Sequence, residues 1–343
     1  MTSEKVKTRI LIISDTHGLR PRVKEESDKD TDDEFDVPDI RRVPTGFRHP
    51  LPEADVVLHC GDLTKRGQPI EIQETFAFLR ECRAPLKLVI AGNHDLALDQ
   101  KFWDDSQLNE RYGPEPPQES LQIIRDAEAD NVRYLDEGVH SFDLRNGSRL
   151  TIFASQWTPV YGGWAFQYPR GRHTFAIPPG VDVAMTHGPP HGVLDKAAMT
   201  ESDAGCQTLF DAVRHARPKV HCFGHIHEAW GAYLARWRDE GEVGPAIDAE
   251  RSRRIASLAA VEPDANDSDE VVRRKVARLK GLAKQRGFHV DLTEGDTRLD
   301  EGRQTLFVNA AIMNIRYRPV QCPWIVDLDL PRAQKWPRFD GRI

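Results

Sequence analysis

The chain has 343 residues, of which 39% are hydrophobic and 29% charged, and its formal net charge at pH 7 is −7. These values describe a globular protein and do not favour an extended nucleic-acid surface, which needs clustered Lys and Arg. The five scattered cysteines predict neither a disulfide framework nor a zinc ribbon. The chain starts without the apolar core of a signal peptide, and no apolar run approaches the ~18 residues of a membrane span. We therefore expect a cytoplasmic protein with no membrane partner, and its oligomeric state stays open.

Six short apolar runs predict strands buried on both faces. The first covers residues 9–14 and reads Arg-Ile-Leu-Ile-Ile-Ser. The others cover residues 55–59, 86–91, 181–185, 219–223 and 306–308. Two further runs, at 139–144 and 150–154, flank Asn146-Gly147, a dipeptide typical of hairpin turns. Parallel strands together with this hairpin predict mixed sheets.

Between the predicted strands, apolar residues recur at helical spacing. They are Ile72, Phe76 and Leu79 after Pro69; Leu121, Ile124 and Ala127; and Cys206, Leu209 and Val213. The alternation of strands and helices indicates an α/β protein. We expect one domain over residues 1–343.

Two segments interrupt this alternation. Residues 24–36 contain eight acidic and two basic residues, and they predict a flexible acidic insertion over about 20–50. The second insertion, about 235–303, contains a helical pattern of Val272, Val276, Leu279 and Ala283 surrounded by Lys and Arg. That helix is either docked on the surface or part of a cationic collar that attracts anionic substrates.

Five short motifs, each at the end of an apolar run, carry the chemistry of this sequence. They are Asp15-Thr16-His17, Gly61-Asp62, Gly92-Asn93-His94-Asp95, Thr186-His187-Gly188 and Gly224-His225-Ile226-His227. Side chains at strand ends converge on one edge of a sheet, and such a polar cluster is costly without a cation. The candidate metal ligands are Asp15, His17, Asp62, Asn93, His187, His225 and His227. We interpret His59, which lies inside an apolar run, as a hydrogen-bonded core residue.

Mixed carboxylate, imidazole and amide ligands without cysteine suit Mn, Fe or Zn in a catalytic site, and this donor set is large enough for two ions. Asp62 is the candidate bridge between the two ions. His94 is the candidate general acid, and we expect Asp95 to hydrogen-bond the other nitrogen of its ring. A metal-bound hydroxide would then attack the phosphorus, so no serine or cysteine nucleophile is needed.

The ordered motifs resemble those of the calcineurin-like metallophosphoesterases over about residues 9–330. The resemblance implies a four-layer αββα sandwich of two mixed sheets flanked by helices, with a dinuclear centre at the strand ends. It also implies that Asp62 is shared between two ligand sets. One set is Asp15, His17, Asp62 and His227, and the other is Asp62, Asn93, His187 and His225.

Further segments resemble the brain-type metallophosphoesterase-domain proteins and their microbial relatives, some of which hydrolyse cyclic nucleotides. These segments are Ile90–His94, Trp157–Pro159, Gly163–Phe166, Pro169–Gly171, Thr186–Pro190 and Phe223–Glu228. The resemblance thus implies a small phosphoester as the partner, with a cyclic nucleotide as the candidate substrate. A protein serine/threonine phosphatase and a non-catalytic nucleotide-binding scaffold are the alternatives.

Candidate substrate contacts follow from the same region. Trp157, Trp164 and Phe166 either stack on a base or pack their loop against the sheet. Arg170 either pairs with a phosphate oxygen or lies on the surface. His191 either lines the rim of the site or is simply exposed.

Overall fold

The computed structural model describes residues 4–22, 46–113, 115–197, 203–239 and 241–334. The acidic segment predicted at residues 24–36 lies outside the described residues. The described chain forms two large mixed sheets, a two-stranded sheet and the helices that flank them. None of its helices combines the length and the apolar character needed to cross a membrane.

The first large sheet has six strands. In spatial order they are β13 (Phe288–Asp291), β15 (Trp324–Pro331), β1 (Lys5–Ile13), β2 (Val56–His59), β3 (Leu86–Val89) and β4 (Val132–Tyr134). Strands β1 to β4 run parallel, whereas β15 pairs antiparallel with β1. The parallel strands are the ones that carry the first three motifs at their ends.

The second large sheet has seven strands. In spatial order they are β12 (Ile247–Ser257), β11 (Gly231–Trp237), β14 (Gln304–Asn309), β10 (Val220–Phe223), β9 (Val183–Thr186), β6 (Arg149–Ser155) and β5 (Gly138–Asp143). The central strands β14, β10, β9 and β6 are parallel, and β5–β6 is the predicted hairpin. The short strands β7 (Thr158–Pro159) and β8 (Gln167–Tyr168) form the two-stranded sheet.

The helices of the described residues lie between these strands in the sequence. They are α1 (Pro69–Glu81), α2 (Gln100–Asp105), α3 (Leu108–Tyr112), α4 (Pro116–Ala127), α5 (Gln207–Ala216), α6 (Leu258–Val261) and α7 (Asp269–Gln285). At the start of α1, Pro69 occupies the first turn and the Glu71 carboxylate accepts the backbone N–H of Gln68 over 3.1 Å. This reciprocal cap fixes where the helix begins.

The two large sheets pack face to face, and their inner side chains form one apolar cluster. Ile10 and Ile12 of β1 contribute from the six-stranded sheet, and Ile152 and Val183 contribute from the seven-stranded sheet. All four are fully buried. The main core therefore lies between the sheets.

Helices cover the two outer faces. Leu11 and Ile13 alternate with the inward residues of β1 and pack with Phe76 of α1. On the other side, Val213 of α5 packs with Phe223 of β10. Helix, sheet, sheet and helix thus follow one another in layers, which confirms the predicted αββα fold.

The predicted insertion at 235–303 is built into the fold. It adds β12 to the edge of the seven-stranded sheet and β13 to the edge of the six-stranded sheet. Its helix α7 buries Val276, Leu282 and Ala283. Helix α7 is therefore docked on the protein through its apolar face, as the first of the two alternatives for this segment states.

Candidate metal centre

The candidate ligands come from both large sheets. Asp15 and His17 follow β1, and Asp62 and Asn93 follow β2 and β3 of the six-stranded sheet. The three histidines follow β9 and β10 of the seven-stranded sheet; they are His187, His225 and His227. Because the sheets pack face to face with these ends together, residues more than 200 positions apart meet. His17 and His227, for example, approach to 3.4 Å between their Nε2 atoms.

Six of the ligands form two groups, within each of which the potential ligand atoms lie no more than 4.8 Å apart. One group is Asp15, His17 and His227, and the other is Asp62, His187 and His225. Asn93 joins the second group, because its Oδ1 lies 2.9 Å from Nε2 of His187. Each group could hold one metal ion.

Asp62 lies between the two groups. Its Oδ2 is 3.7 Å from Nε2 of His17, and its Oδ1 is 3.3 Å from Nε2 of His187. The backbone N–H of His94 donates to Oδ1 over 2.8 Å and fixes the carboxylate. One carboxylate therefore offers one oxygen to each group, as a bridge between two cations requires.

Backbone carbonyls orient three of the imidazole rings. The Nδ1 atoms of His17, His187 and His227 lie 2.9, 2.9 and 3.1 Å from the carbonyl oxygens of Thr64, Cys60 and Asn314. Since a carbonyl only accepts, each Nδ1 carries the hydrogen and each Nε2 of a neutral ring keeps its lone pair. The lone pairs of His17 and His227 then face each other and repel unless a proton or a cation lies between them. These residues therefore fit a metal ion.

Four ligands have backbone angles in the left-handed region. The φ values are 54° at Asp15, 46° at His17, 51° at Asp62 and 66° at His225. A residue other than glycine in this region is strained by about 1–3 kcal/mol, and such strain concentrates at functional sites. Here it is held in part by hydrogen bonds between loops, since the N–H of His17 donates to the carbonyl of Asp62 over 3.0 Å.

The glycines of two motifs are required by close approach. A Cβ on Gly92 would overlap the backbone nitrogen and Oδ1 of Asp62, and a Cβ on Gly224 would overlap Oδ2 of Asp15. The ligands thus occupy the space that a side chain would need. This explains why glycine precedes Asn93 and His225.

Burial and charge set the protonation of the ligands. Burial lowers the pKa of His17 to about 4 and that of His225 to about 3, which keeps both rings neutral. Burial opposes the charge of Asp62, but the nearby His187 and His94 hold its pKa well below the ordinary value. Burial likewise opposes the charge of His187, but Asp62 and Asp15 raise its pKa to about 9. Binding of a cation at the second group is therefore coupled to loss of a proton.

His94 lies beside the first group. Its ring meets that of His17 edge-on, with 4.8 Å between centroids, and stacks on the indole of Trp164 at 4.1 Å. Its Nδ1 is 2.9 Å from the carbonyl oxygen of Lys65 and carries the hydrogen of that bond. Nε2 is therefore the nitrogen left to exchange a proton with a substrate.

The expected contact between Asp95 and the ring of His94 is wrong, because the Lys65 carbonyl takes that place. The Asp95 carboxylate instead accepts the N–H groups of Leu63, Thr64 and Gly92 and the hydroxyl of Thr64, over 2.7–3.1 Å. Burial and the charge of Asp62 raise the pKa of Asp95 to about 7, although these donors lower it. Asp95 ties together the loops that carry Asp62 and Asn93, so it is a positioning residue.

The aromatic residues Trp157, Trp164 and Phe166 do not form one continuous surface for stacking. Phe166 is 5% exposed and packs edge-on against Trp157, with 5.7 Å between ring centroids. Trp157 also lies against His173 at 5.8 Å. Trp157 and Phe166 therefore pack against neighbouring rings, the second of the two alternatives for these residues, whereas the ring of Trp164 lies against His94.

The other two predicted contacts, Arg170 and His191, involve the segment that follows His187. Arg170 binds the backbone of that segment, and His191 lies in it. Both terminal nitrogens of Arg170 donate to backbone carbonyls, those of Gly205 over 2.7 Å and Ala204 over 3.1 Å. Arg170 is thus an exposed residue that ties its loop to residues 204–205, in agreement with the second of its two alternatives, a surface position. His191 is exposed, and its backbone N–H donates to the carbonyl of Cys206.

The sequence motifs missed Tyr317. Its ring contacts the rings of His17, His227 and His94 edge-on, with centroids 4.9, 5.3 and 6.0 Å apart, and it is 43% exposed. It stands in the loop after β14, where the Asn314 carbonyl accepts from His227. The only signal for it in the sequence was the apolar run at 306–308. That run predicts β14, which is parallel to β10 and ends at the same edge of the sheet.

Comparisons with known proteins show the family of this chain. The family model of the calcineurin-like phosphoesterases matches residues 8–229. Metallophosphoesterase domain-containing protein 1 of Homo sapiens is 36% identical over 189 residues, which are 53% of this chain and 56% of that protein. Probable rhamnogalacturonate lyase C of Emericella nidulans is 30% identical over 233 residues, 67% of this chain and 18% of that protein.

The match thus spans about half the length of the human relative. Among solved structures, that of TT1561 of Thermus thermophilus is 13% identical, with a TM-score of 0.38, over 64% of this chain and 82% of that one. The family model covers well over half of the chain and all seven candidate ligands. The chain therefore belongs to the calcineurin-like phosphoesterases, a family of metal-dependent phosphoric ester hydrolases.

Proposed function

We propose that this chain is a dinuclear phosphoesterase that hydrolyses small phosphodiesters or phosphomonoesters. The position of Asp62 carries this proposal, because its two oxygens face His17 in one group and His187 in the other. A shared carboxylate holds two cations close enough to act on one phosphate. The family of the chain supports the same reaction class.

Each ion would have four protein ligands. The first would be held by Asp15, His17, Asp62 and His227, and the second by Asp62, Asn93, His187 and His225. These carboxylate, imidazole and amide donors suit Mn, Fe or Zn. When bound, two such ions supply positive charge to the phosphoryl oxygens and lower the pKa of a water molecule.

His94 is the proposed proton donor to the leaving oxygen. Its Nδ1 hydrogen is committed to the Lys65 carbonyl, so the proton comes from Nε2. Water bonds to phosphorus and loses a proton to solvent as the bond to the leaving oxygen breaks. That oxygen takes the proton of His94, and the ring regains one from solvent. The face of Trp164 stabilises the charged ring before the transfer.

A cyclic nucleotide or a similar small ester with an aromatic group is the proposed substrate. Support comes from the partly exposed side chains of Trp164 and Tyr317, which both contact the ring of His94. An aromatic surface beside the reacting phosphate adds binding free energy for a flat organic group. A phosphopeptide would not gain this stacking energy.

A hydrolysis screen with Mn²⁺ supplied tests the proposal, using cyclic nucleotides, aryl phosphomonoesters, aryl diesters and a phosphopeptide. Asp62→Asn is the control, because the amide keeps the shape but loses the bridging charge. We expect the small esters to give the higher kcat/KM, and Asp62→Asn to lose both activity and metal.

Three results would contradict this picture. Preference for the phosphopeptide would favour a serine/threonine phosphatase. Absence of turnover with both metals bound would favour a non-catalytic scaffold. Two metals and normal turnover in Asp62→Asn would refute the bridging role.

A further inference from the structure

A cleft of about 700 Å³ lies between helices α2 and α3 and the loop that carries Trp164. It adjoins the candidate metal centre, because Trp164 lines the cleft and also stacks on His94. Sites for small organic ligands have volumes of roughly 300–1,000 Å³. The cleft is therefore large enough for an organic group of a substrate whose phosphate lies at the metal centre.

The lining of the cleft combines apolar and aromatic surface with positive charge. Leu96, Phe102 and Tyr112 belong to the apolar cluster beneath it. Arg66 and Arg111 are among its lining residues, and within the described part of the chain neither side chain has a carboxylate within 4.0 Å. The guanidinium carbon of Arg111 lies 5.1 Å from the centroid of the Tyr112 ring. One acidic residue, Glu110, is among the lining residues. The lining thus matches an aromatic group that carries a negative charge or a hydrogen-bond acceptor.

The elements that hold the proton donor also form the cleft wall. Arg66 directly follows Lys65, whose carbonyl accepts from Nδ1 of His94, and Trp164 covers the ring of His94. A leaving oxygen must come within hydrogen-bond distance of His94 to take its proton. The organic group on that oxygen therefore lies near Trp164, whose ring stacks on His94 and whose side chain lines the cleft.

We propose that this cleft is the leaving-group subsite, and that it takes an aromatic leaving group with an anionic substituent. This inference rests on the proposed phosphoesterase function. Arg66 and Arg111 bind the anionic substituent, while Phe102, Tyr112 and Trp164 contact the ring.

Two methyl phosphodiesters that differ only in the leaving group, phenol or 4-carboxyphenol, test the subsite. We expect the double variant Arg66→Gln/Arg111→Gln to lower kcat/KM for the carboxyphenyl ester about tenfold, as loss of one charge-assisted hydrogen bond does. Loss on the phenyl ester should stay below about threefold, since that ester has no carboxylate to contact. The ratio of kcat/KM for the carboxyphenyl ester to kcat/KM for the phenyl ester is compared between wild type and variant, because this comparison removes the intrinsic difference in reactivity of the two esters.

Lys101→Gln is the matched control, because it removes one positive charge from α2 outside the cleft lining. It should change the ratio of the two esters by less than about twofold. Gln107→Trp, which places an indole in the cleft, should raise KM for both aryl esters.

Binding without turnover provides a second readout. The wild-type protein should bind (4-carboxybenzyl)phosphonate at least tenfold more tightly than benzylphosphonate in calorimetry, and the double variant should lose that difference. If wild type hydrolyses both aryl esters but the double variant changes neither the ratio nor phosphonate binding, the subsite is refuted while the enzyme stands. If wild type hydrolyses no ester, the proposed function itself fails.

Discussion

One methyl group at Gly224 should disturb the metal centre, whereas the same methyl group at Gly281 should not. A Cβ on Gly224 would overlap Oδ2 of Asp15 and Oγ of Ser14. At Gly281, inside α7, a Cβ meets no atom within 4 Å. The two Gly→Ala changes are chemically identical, so any difference between them comes from packing.

The size of the effect follows from burial. Asp15 and Ser14 are both fully buried, so neither can move into solvent to make room. An extra carbon in a well-packed interior costs about 1–3 kcal/mol. Moving Asp15 also breaks the bond that its carboxylate accepts from the N–H of His225 over 3.1 Å, which adds about 1.5 kcal/mol. Gly224→Ala should therefore lower the free energy of unfolding by about 2.5–4.5 kcal/mol, and Gly281→Ala should raise it by about 0.5–1 kcal/mol.

Urea unfolding of the chelator-treated proteins measures both values, because removing the metal excludes a contribution from altered binding. Metal analysis after reconstitution should show that Gly224→Ala has lost affinity at the Asp15 group, and Gly281→Ala should bind like wild type. Equal stabilities for the two variants, with full metal content in Gly224→Ala, would show that the tight packing around Asp15 is not real.

Three more changes have defined outcomes. His94→Ala should keep both metals and lower kcat by about 10²–10⁴ on esters with poor leaving groups, and an equal loss on aryl esters would contradict the general-acid role. Tyr317→Ala should raise KM by about 2–10-fold through lost ring contacts, whereas Tyr317→Phe should behave like wild type in the same steady-state assay. Burial opposes the charge of Asp327, but hydrogen bonds from Arg9 and His289 hold its pKa below the ordinary value. Its stabilisation is therefore present above the unfolded pKa of about 3.9 and is lost as the pH falls through the folded pKa, so urea midpoints should fall less between pH 7 and pH 3 in Asp327→Asn than in wild type.

Much of the framework could be read from local patterns. The run at 9–14 predicts β1 because a strand buried on both faces needs continuous apolar residues, and the same holds for the other five predicted strands. Asn146-Gly147 located the hairpin, since that dipeptide favours tight turns, and Gly147 adopts the positive φ of 87° that the turn requires. The edge strands β12 and β13 were not found, because β12 carries exposed charged residues and β13 is only four residues long.

The sequence alone determined which residues could ligate metals, since the identity and order of the motif residues Asp15 to His227 need no coordinates. Only the tertiary structure decided what the neighbouring residues do. It turned Asp95 toward the loop after β2, laid Trp164 on His94 and brought Tyr317 over the first ligand group. The physical reason is distance along the chain. A strand end is a local feature of the sequence, whereas contacts such as that between His17 and Tyr317, 300 residues apart, arise only when two sheets pack together.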